Sequence, residues 1–277
     1  MIPFDFKFIR PNSVEEAVEA FEEAKEEDLN PMFYSGGTEI TTFSRKKKIK
    51  TGAVIDIKSI PGTMELKEEG KNLIFGAGLP LNQIIDSEMF PLLGKASKGI
   101  ADRTTRNKLS LGGNIAGQLP YRETVLPLLL SDAKAKIGGP NGVRETPLTD
   151  VFSRMLSLEE GEFLIQLKVP KVYSEKPHYY ARKEKSSEID YPIASGCFLK
   201  SEGNIKMSIG GSFLVPVREE KPEKILNDPN IPLDEKAEEV VQGFTARFRD
   251  DQRASDDYRK ILTKNIIKEA LKNLGGD

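Results

Sequence analysis

The sequence predicts an α+β protein. Three observations point there. Runs of strand length alternate with segments of helical periodicity through the first part of the chain, strands then precede helices in the last part, and 277 residues suffice to bury one large core or two modest ones. A polar, proline-bounded stretch, Lys171 to Pro177, separates the two regimes. The expected division is therefore residues 1–172 and a smaller α+β domain at 173–277.

The elements follow in order. Ser13 to Glu16 (SVEE) has the form of a capping box, and Val14, Ala17, Val18, Phe21 and Ala24 recur behind it at helical spacing, which predicts a helix ending near Asp28–Pro31. Met32–Tyr34 reads as a strand entering the glycine loop Ser35-Gly36-Gly37-Thr38, followed by a short helix and a strand at Ala53–Ile57. The basic run Arg45 to Lys50 between them reads as a solvated helix end or loop rather than an anion patch. Ile60-Pro61-Gly62 is a turn, Met64–Leu66 and Leu73–Phe75 form a hairpin, Pro80 opens a helix, and Phe90 to Ala101 carries helical spacing. A second glycine loop at Ser110–Asn114 precedes a buried helix at Thr124–Leu130. Ala133–Ile137 and Val143–Thr146 read as a hairpin across Gly138–Gly142, and Phe163–Val169 as a strand. Past the boundary come antiparallel strands at Tyr179–Arg182, Ile193–Lys200 and Ile205–Gly210, then helices at Asp234–Phe248 and Ser255–Leu274.

Composition removes several function classes. Lys plus Arg number 41 against 43 Asp plus Glu, so no global field calls for nucleic acid or an anionic membrane. No apolar run approaches bilayer length, and Met1 to Arg10 alternates without the apolar core of a signal peptide, which predicts a soluble, cytoplasmic protein. With one cysteine (Cys197) and one histidine (His178), an internal disulfide, a cysteine-ligated zinc or iron–sulfur site and the two-histidine zinc motifs are excluded. No catalytic side chain and no metal ligand is assigned. Cys197 reads as a small buried hydrophobe in a strand, and His178 as structural.

The glycine pairs carry the remaining chemistry. A diphosphate needs several converging donors, and backbone N–H groups supply them only where no Cβ blocks the approach and unusual φ values are open. Gly36-Gly37 with Thr38, and Gly112-Gly113 with Ser110 and Asn114, meet both demands. Each charge-assisted bond contributes about 1.5–3 kcal/mol, so two such loops can hold a dinucleotide without a lysine or arginine on its phosphates. Each pair taken singly also reads as a tight turn between packed elements, as Gly138-Gly139 does. Neither is a Walker motif or a G-x-G-x-x-G fingerprint.

In their wider context the loops are specific. Tyr34–Ile40 (YSGGTEI), Val54–Ile60 (VIDIKSI), Ile74–Gly78 (IFGAG), Thr105–Ala116 (TRNKLSLGGNIA), Gly161–Pro170 (GEFLIQLKVP) and Arg253–Arg259 (RASDDYR) occur in an order that resembles the FAD-binding medium subunit of the molybdenum hydroxylases, the family of xanthine, carbon monoxide and nicotinate dehydrogenases. The resemblance covers essentially the whole chain. It implies an FAD-binding domain of the vanillyl-alcohol-oxidase/PCMH type in two subdomains, about 1–52 and 53–172, with FAD held non-covalently between them and the C-terminal domain after them. Carried over by position, the cofactor contacts are Phe33, Tyr34, Ser35, Gly36, Gly37, Thr38, Glu39 and Ile40, and Ser110, Leu111, Gly112, Gly113 and Asn114. On this reading a valine at Gly112 clashes with the diphosphate and leaves most of the fold intact.

Four further positions follow from the resemblance, each beside a plainer reading. Glu123 falls where the family carries an aspartate near the ribose or adenine, or is a carboxylate at a helix N-terminus. Ile100 packs near the cofactor or is core; Leu164 contacts it from the closing strand or is an alternating core residue. Arg182 approaches the flavin ring or is a solvated strand end beside Lys183, Glu184 and Lys185. Arg253 and Arg259 flank an N-cap, Ser255-Asp256-Asp257, and are read as structural or subunit contacts. The implied role is an electron-transfer subunit of a multi-subunit oxidoreductase. Electrons come from [2Fe–2S] clusters on a small partner subunit, molybdopterin sits on a large one, and NAD(P)+ or another species accepts them. A free-standing flavoprotein oxidoreductase of the same fold and a scaffold subunit that has lost FAD are the alternatives.

Overall fold

The computed structural model describes residues 2–186 and 189–275; Met1, at the head of the alternating N-terminal segment, lies outside them. Its strands are β1 (Lys7–Ile9), β2 (Met32–Tyr34), β3 (Ala53–Asp56), β4 (Leu66–Glu69), β5 (Asn72–Gly76), β6 (Lys134–Gly139), β7 (Gly142–Pro147), β8 (Phe163–Pro170), β9 (His178–Glu184), β10 (Pro192–Ser201) and β11 (Asn204–Gly210). The helices are α1 (Val14–Glu26), α2 (Thr38–Arg45), α3 (Leu81–Ser87), α4 (Pro91–Lys98), α5 (Arg103–Arg106), α6 (Leu111–Ala116), α7 (Val125–Leu130), α8 (Leu148–Val151), α9 (Glu220–Leu226), α10 (Leu233–Gly243) and α11 (Asp256–Leu274). Among the described residues no helix is long and apolar enough to cross a membrane.

The chain divides into two compact units that are not contiguous in sequence. One takes residues 1–87, 103–118 and 132–171, the other 88–102, 119–131 and 172–277. Within the stretch read as a linker, Lys171 to Pro177, the residues Lys171–Glu175 form a 3₁₀ helix with Tyr173 buried.

The first unit starts from a helix that its sequence caps at both levels. Ser13 accepts a hydrogen bond from the Glu16 N–H at 3.1 Å, and the Glu16 carboxylate accepts one from the Asn12 N–H at 2.7 Å, so the box closes one residue earlier than its ideal form. The apolar face of α1 (Val14, Ala17, Ala20, Phe21) packs with Ile55, Ile57, Ile60, Phe163 and Ile165. Phe21 stacks on Phe33, with ring centroids 5.1 Å apart. Burying one side chain of that size contributes about 1.5–3 kcal/mol. Around β3 a parallel sheet forms in the order β1-β3-β2, and a five-stranded antiparallel sheet runs β4-β5-β8-β6-β7. The first hairpin turns at Gly70-Lys71. The second turns at Pro140-Asn141, so Gly138 and Gly139 lie inside β6 rather than in the turn.

The second unit is a three-stranded antiparallel meander, β9-β10-β11, as its alternation predicts. Ala194, Phe198, Met207 and Ile209 of this sheet join Val240 of α10 and Ile266, Ile267 and Ala270 of α11 in one core. The buried helix α7 is tied to the sheet by the Ser208 hydroxyl, which donates to the Leu126 carbonyl at 2.9 Å. Ser255 caps α11 as its sequence predicts, accepting from the Tyr258 N–H. Arg259, fully buried, donates to the carbonyls of Ile193 and Gly211 and to Asp251 at 2.7–2.8 Å, and Arg253 donates to Asp190 and to the Tyr191 carbonyl at 2.8 Å. Both arginines therefore brace the chain segment leading into β10.

Candidate functional site

The parallel sheet of the first unit positions the site. Ligands of parallel sheets bind beyond the carboxyl ends of the strands, and β2 ends at Tyr34, directly before the first glycine pair. Gly37 caps α2 with φ +65°, a left-handed conformation that glycine adopts without a Cβ penalty. Its carbonyl accepts the first helical bond, from Thr41 at 2.9 Å. Among the described residues, no protein acceptor meets the N–H groups of Gly36, Gly37 and Thr38. The Ser35 hydroxyl beside them is buried, with no hydrogen-bond partner among the described residues. Unpaired donors at a helix N-terminus are what an anion requires, and a buried orphan hydroxyl costs about 1–3 kcal/mol until a ligand pairs it.

The facing wall is the second glycine pair, and it is built differently. Instead of a loop, Gly112 and Gly113 occupy the first turn of α6, whose N-cap Ser110 accepts from the Gly113 N–H at 3.2 Å. The other amides of this turn are also used: Leu111 donates to the Leu79 carbonyl at 2.9 Å, Gly112 to the Ala77 carbonyl at 2.7 Å, and Asn114 to the Ser110 carbonyl at 2.9 Å. The donor role read for this pair is thus corrected. Gly112 is glycine because a Cβ there would stand 2.7 Å from the Ala77 Cβ and 2.9 Å from its carbonyl oxygen, whereas Gly113 is exposed and meets only the Ser110 hydroxyl.

Between the walls lies a cleft of about 240 Å³, lined by Phe33, Ser35–Ile40, Ser110 and Gly113 together with Met32, Ile49, Leu109, Ala116, Gly117 and Gln118. It is smaller than the roughly 300–1,000 Å³ of pockets that engulf a small ligand, so it is too small to enclose a whole dinucleotide. Of the carried-over contacts, Tyr34, Leu111, Gly112 and Asn114 stand outside the lining. The walls are joined by the Glu39 carboxylate, which accepts from the Gln118 N–H at 2.6 Å, and by a close approach in which a Cβ on Gly36 would meet the Lys108 carbonyl at 2.0 Å. Apart from Gln118, the lining residues beyond the two motifs are apolar or small and are brought in by tertiary packing.

Leu164 is buried in β8 opposite Ile137. The three remaining positions belong to the second unit. Glu123 is fully buried and does not cap a helix. Its carboxylate accepts from the Tyr180 hydroxyl at 2.8 Å and from Arg182 Nε at 3.0 Å. Burial pushes its pKa up, against the opposing pull of Arg182 and the Tyr180 hydrogen bond. Burial, then the Glu123 charge, raises the Tyr180 phenol well above its ordinary value. Arg182 is no solvated strand end: its side chain is 10% exposed and also donates to Glu184 and the Asp190 carbonyl. Ile100 is half-buried, and the stem of Arg182 lies against the neighbouring Gly99. His178 is half-buried as well. With its ring protonated on Nδ1 it donates to the Lys176 carbonyl at 3.0 Å and accepts from Lys95 at 3.1 Å, and burial lowers its pKa. Cys197 is buried in β10. Among the described residues no group of three or more His, Cys, Asp or Glu side chains is placed to hold a metal ion.

Residues 4–172 match the family model described as the FAD binding domain in molybdopterin dehydrogenase. The carbon monoxide dehydrogenase medium chain of Hydrogenophaga pseudoflava is 27% identical over 289 residues, covering 98% of this chain and 97% of that one. A putative xanthine dehydrogenase FAD-binding subunit of Escherichia coli K12 is 26% identical over 264 residues, covering 87% and 89%. The solved carbon monoxide dehydrogenase of Hydrogenophaga pseudoflava, in the form lacking the Mo-pyranopterin moiety of its molybdenum cofactor, superposes with a TM-score of 0.87 at 26% identity over 99% of this chain and 98% of the other. The chain belongs to the family of FAD-binding domains of molybdopterin dehydrogenases. It is an FAD-binding medium subunit of the molybdenum hydroxylase type, an oxidoreductase component.

Proposed function

We propose that this chain carries FAD in a multi-subunit molybdenum hydroxylase, with molybdopterin on a large partner subunit and [2Fe–2S] clusters on a small one, and that NAD(P)+ or another acceptor receives the electrons. The observation that supports the reading most directly is the set of unpaired amides at Gly36, Gly37 and Thr38 beside the orphan Ser35 hydroxyl, inside the segment that matches the family. When bound, the flavin supplies the redox chemistry, taking electrons singly from clusters and releasing them singly or in pairs.

The chain's own residues bind and orient. The three amides and the Ser35 hydroxyl would take the diphosphate, non-covalently, at the N-terminus of α2. Ser110 and Gly113 shape the opposite wall, and Glu39 holds the walls together through Gln118. This proposed set is confined to the first unit. No acid or base on this chain is required.

Purification of the chain alone and with its neighbouring gene products tests the proposal. The expected result is a flavin absorbance spectrum that survives gel filtration, release of FAD by acid precipitation, and copurification with a molybdopterin-containing and an iron–sulfur subunit. A folded, colourless chain that takes up no added FAD would overturn it; a yellow chain that turns over substrate without partners would favour a free-standing flavoprotein.

A further inference from the structure

Under the first glycine pair sits a cation that does not line the cleft. Lys58 lies in a single 3₁₀ turn, Ile57–Ser59, at the exit of β3, capped by the Asp56 carboxylate accepting from the Lys58 N–H at 3.2 Å. Its ammonium donates to Asp56 Oδ1 at 2.6 Å and to the Ser35 carbonyl at 3.1 Å, and stands 5.2 Å from the centre of the Tyr34 ring. Tyr34 and Asp56 are paired across β2 and β3, which fixes this spacing in the sheet itself. Above them, Gly37 leaves no room between itself and Tyr34: a Cβ there would stand 2.0 Å from the ring. Asp56, Lys58 and Tyr34 thus form a pedestal beneath the glycine pair.

The bond to Ser35 has a directional consequence. A trans peptide is planar and sets its C=O and N–H in opposite senses, so a carbonyl of Ser35 anchored on Lys58 turns the Gly36 N–H away from Lys58. Among the described residues that N–H has no protein acceptor, and Gly36 lines the cleft. Next to glycine, such a peptide would otherwise rotate with little steric resistance. A charge-assisted bond at the carbonyl also polarises the amide as a donor.

We propose that Lys58 is a positioning residue for FAD: it fixes and polarises the Ser35–Gly36 peptide, so that the Gly36 amide is preset for the diphosphate. The inference rests on the cofactor reading above. Lys58→Met removes the anchor and leaves the buried Asp56 carboxylate without its ion-pair partner, so the FAD-free chain should melt at a lower temperature than wild type. Its expected effect on the folded chain, titrated well below that temperature, is a loss of FAD affinity of about tenfold to a hundredfold. The ³¹P resonances of the bound diphosphate should shift in Lys58→Met and return toward wild type in Lys58→Arg, which restores charge and donors. Wild-type affinity in Lys58→Met, or a folded Lys58→Arg that restores neither affinity nor resonances, would overturn the proposal. If Lys58→Met fails to fold, Asp56→Asn loosens the ammonium while leaving it present, and unchanged FAD affinity there would overturn it equally. A wild-type chain that takes up no FAD would instead place the fault in the cofactor reading.

Discussion

The two glycine pairs share a Gly-Gly dipeptide followed by a polar residue, and the structure puts them to opposite uses. Gly36-Gly37 follows a strand, bends through a left-handed residue and leaves three amides unpaired; Gly112-Gly113 is wound into α6 with each amide of its turn bound within the protein. Close approach demands glycine in both pairs, at Gly36 against the Lys108 carbonyl and at Gly112 against Ala77; what differs is that the first pair also needs the left-handed Gly37 and leaves its amides free, while Gly113 keeps the cleft wall bare. A doubled glycine therefore signals close approach without saying whether a ligand or the protein's own backbone approaches.

Substitutions can break this contrast, the largest effect being expected at Gly36. Gly36→Ala forces a Cβ to within 2.0 Å of the Lys108 carbonyl, so we expect a stability loss of about 3 kcal/mol or more in urea unfolding and no measurable FAD uptake. Gly112→Ala meets Ala77 at 2.7 Å and should cost about 1–3 kcal/mol, with the affinity of the folded chain changed less than about tenfold. Loss of FAD at unchanged stability would instead support the diphosphate role read for Gly112. Ser110→Ala removes the α6 cap and should cost about 1 kcal/mol, with a parallel fall in affinity detected by flavin fluorescence titration. Smallest in stability is Gly113→Ala. The gain from alanine in a helix, about 0.5–1 kcal/mol, offsets crowding of the Ser110 hydroxyl at 2.8 Å, while the new methyl narrows the cleft and weakens FAD binding. A Gly113→Ala chain that is destabilised yet binds FAD normally would invert the comparison.

Much of the architecture was legible because it is written in local patterns. The capping box at Ser13, the alternation of β9 to β11 and the two hairpins each depend on neighbours in sequence. What was hidden depends on distant partners. β1 is three residues long with Phe8 exposed, and only its parallel pairing with β3 makes it a strand. The helix α6 escapes notice because two glycines argue against it, yet its Ser110 cap and its packing on Ala77 outweigh propensity. α9 carries Pro222 in its first turn amid charged residues, and α10 stops at Gly243, before Phe244, which packs with Phe213 and Phe248. For the site, the glycine pair and Ser110 were visible. Lys58 was not, since one lysine between Ile57 and Ser59 carries no signal until the turn brings it to the Ser35 carbonyl. Glu123 and Arg182 were singled out separately, and nothing in their spacing of 59 residues announced that they meet.

The interleaving of the two units governs how the chain can be made. It passes from one unit to the other five times, and α7, buried along its whole length, must wait for β10 and β11, which the ribosome delivers much later. Until then an apolar hexapeptide, Val125–Leu130, has no sheet to cover it. Truncation at residue 172 would make that delay permanent, so the shortened chain should require chaperones or precipitate, whereas the 277-residue chain should be recovered as a well-behaved monodisperse species.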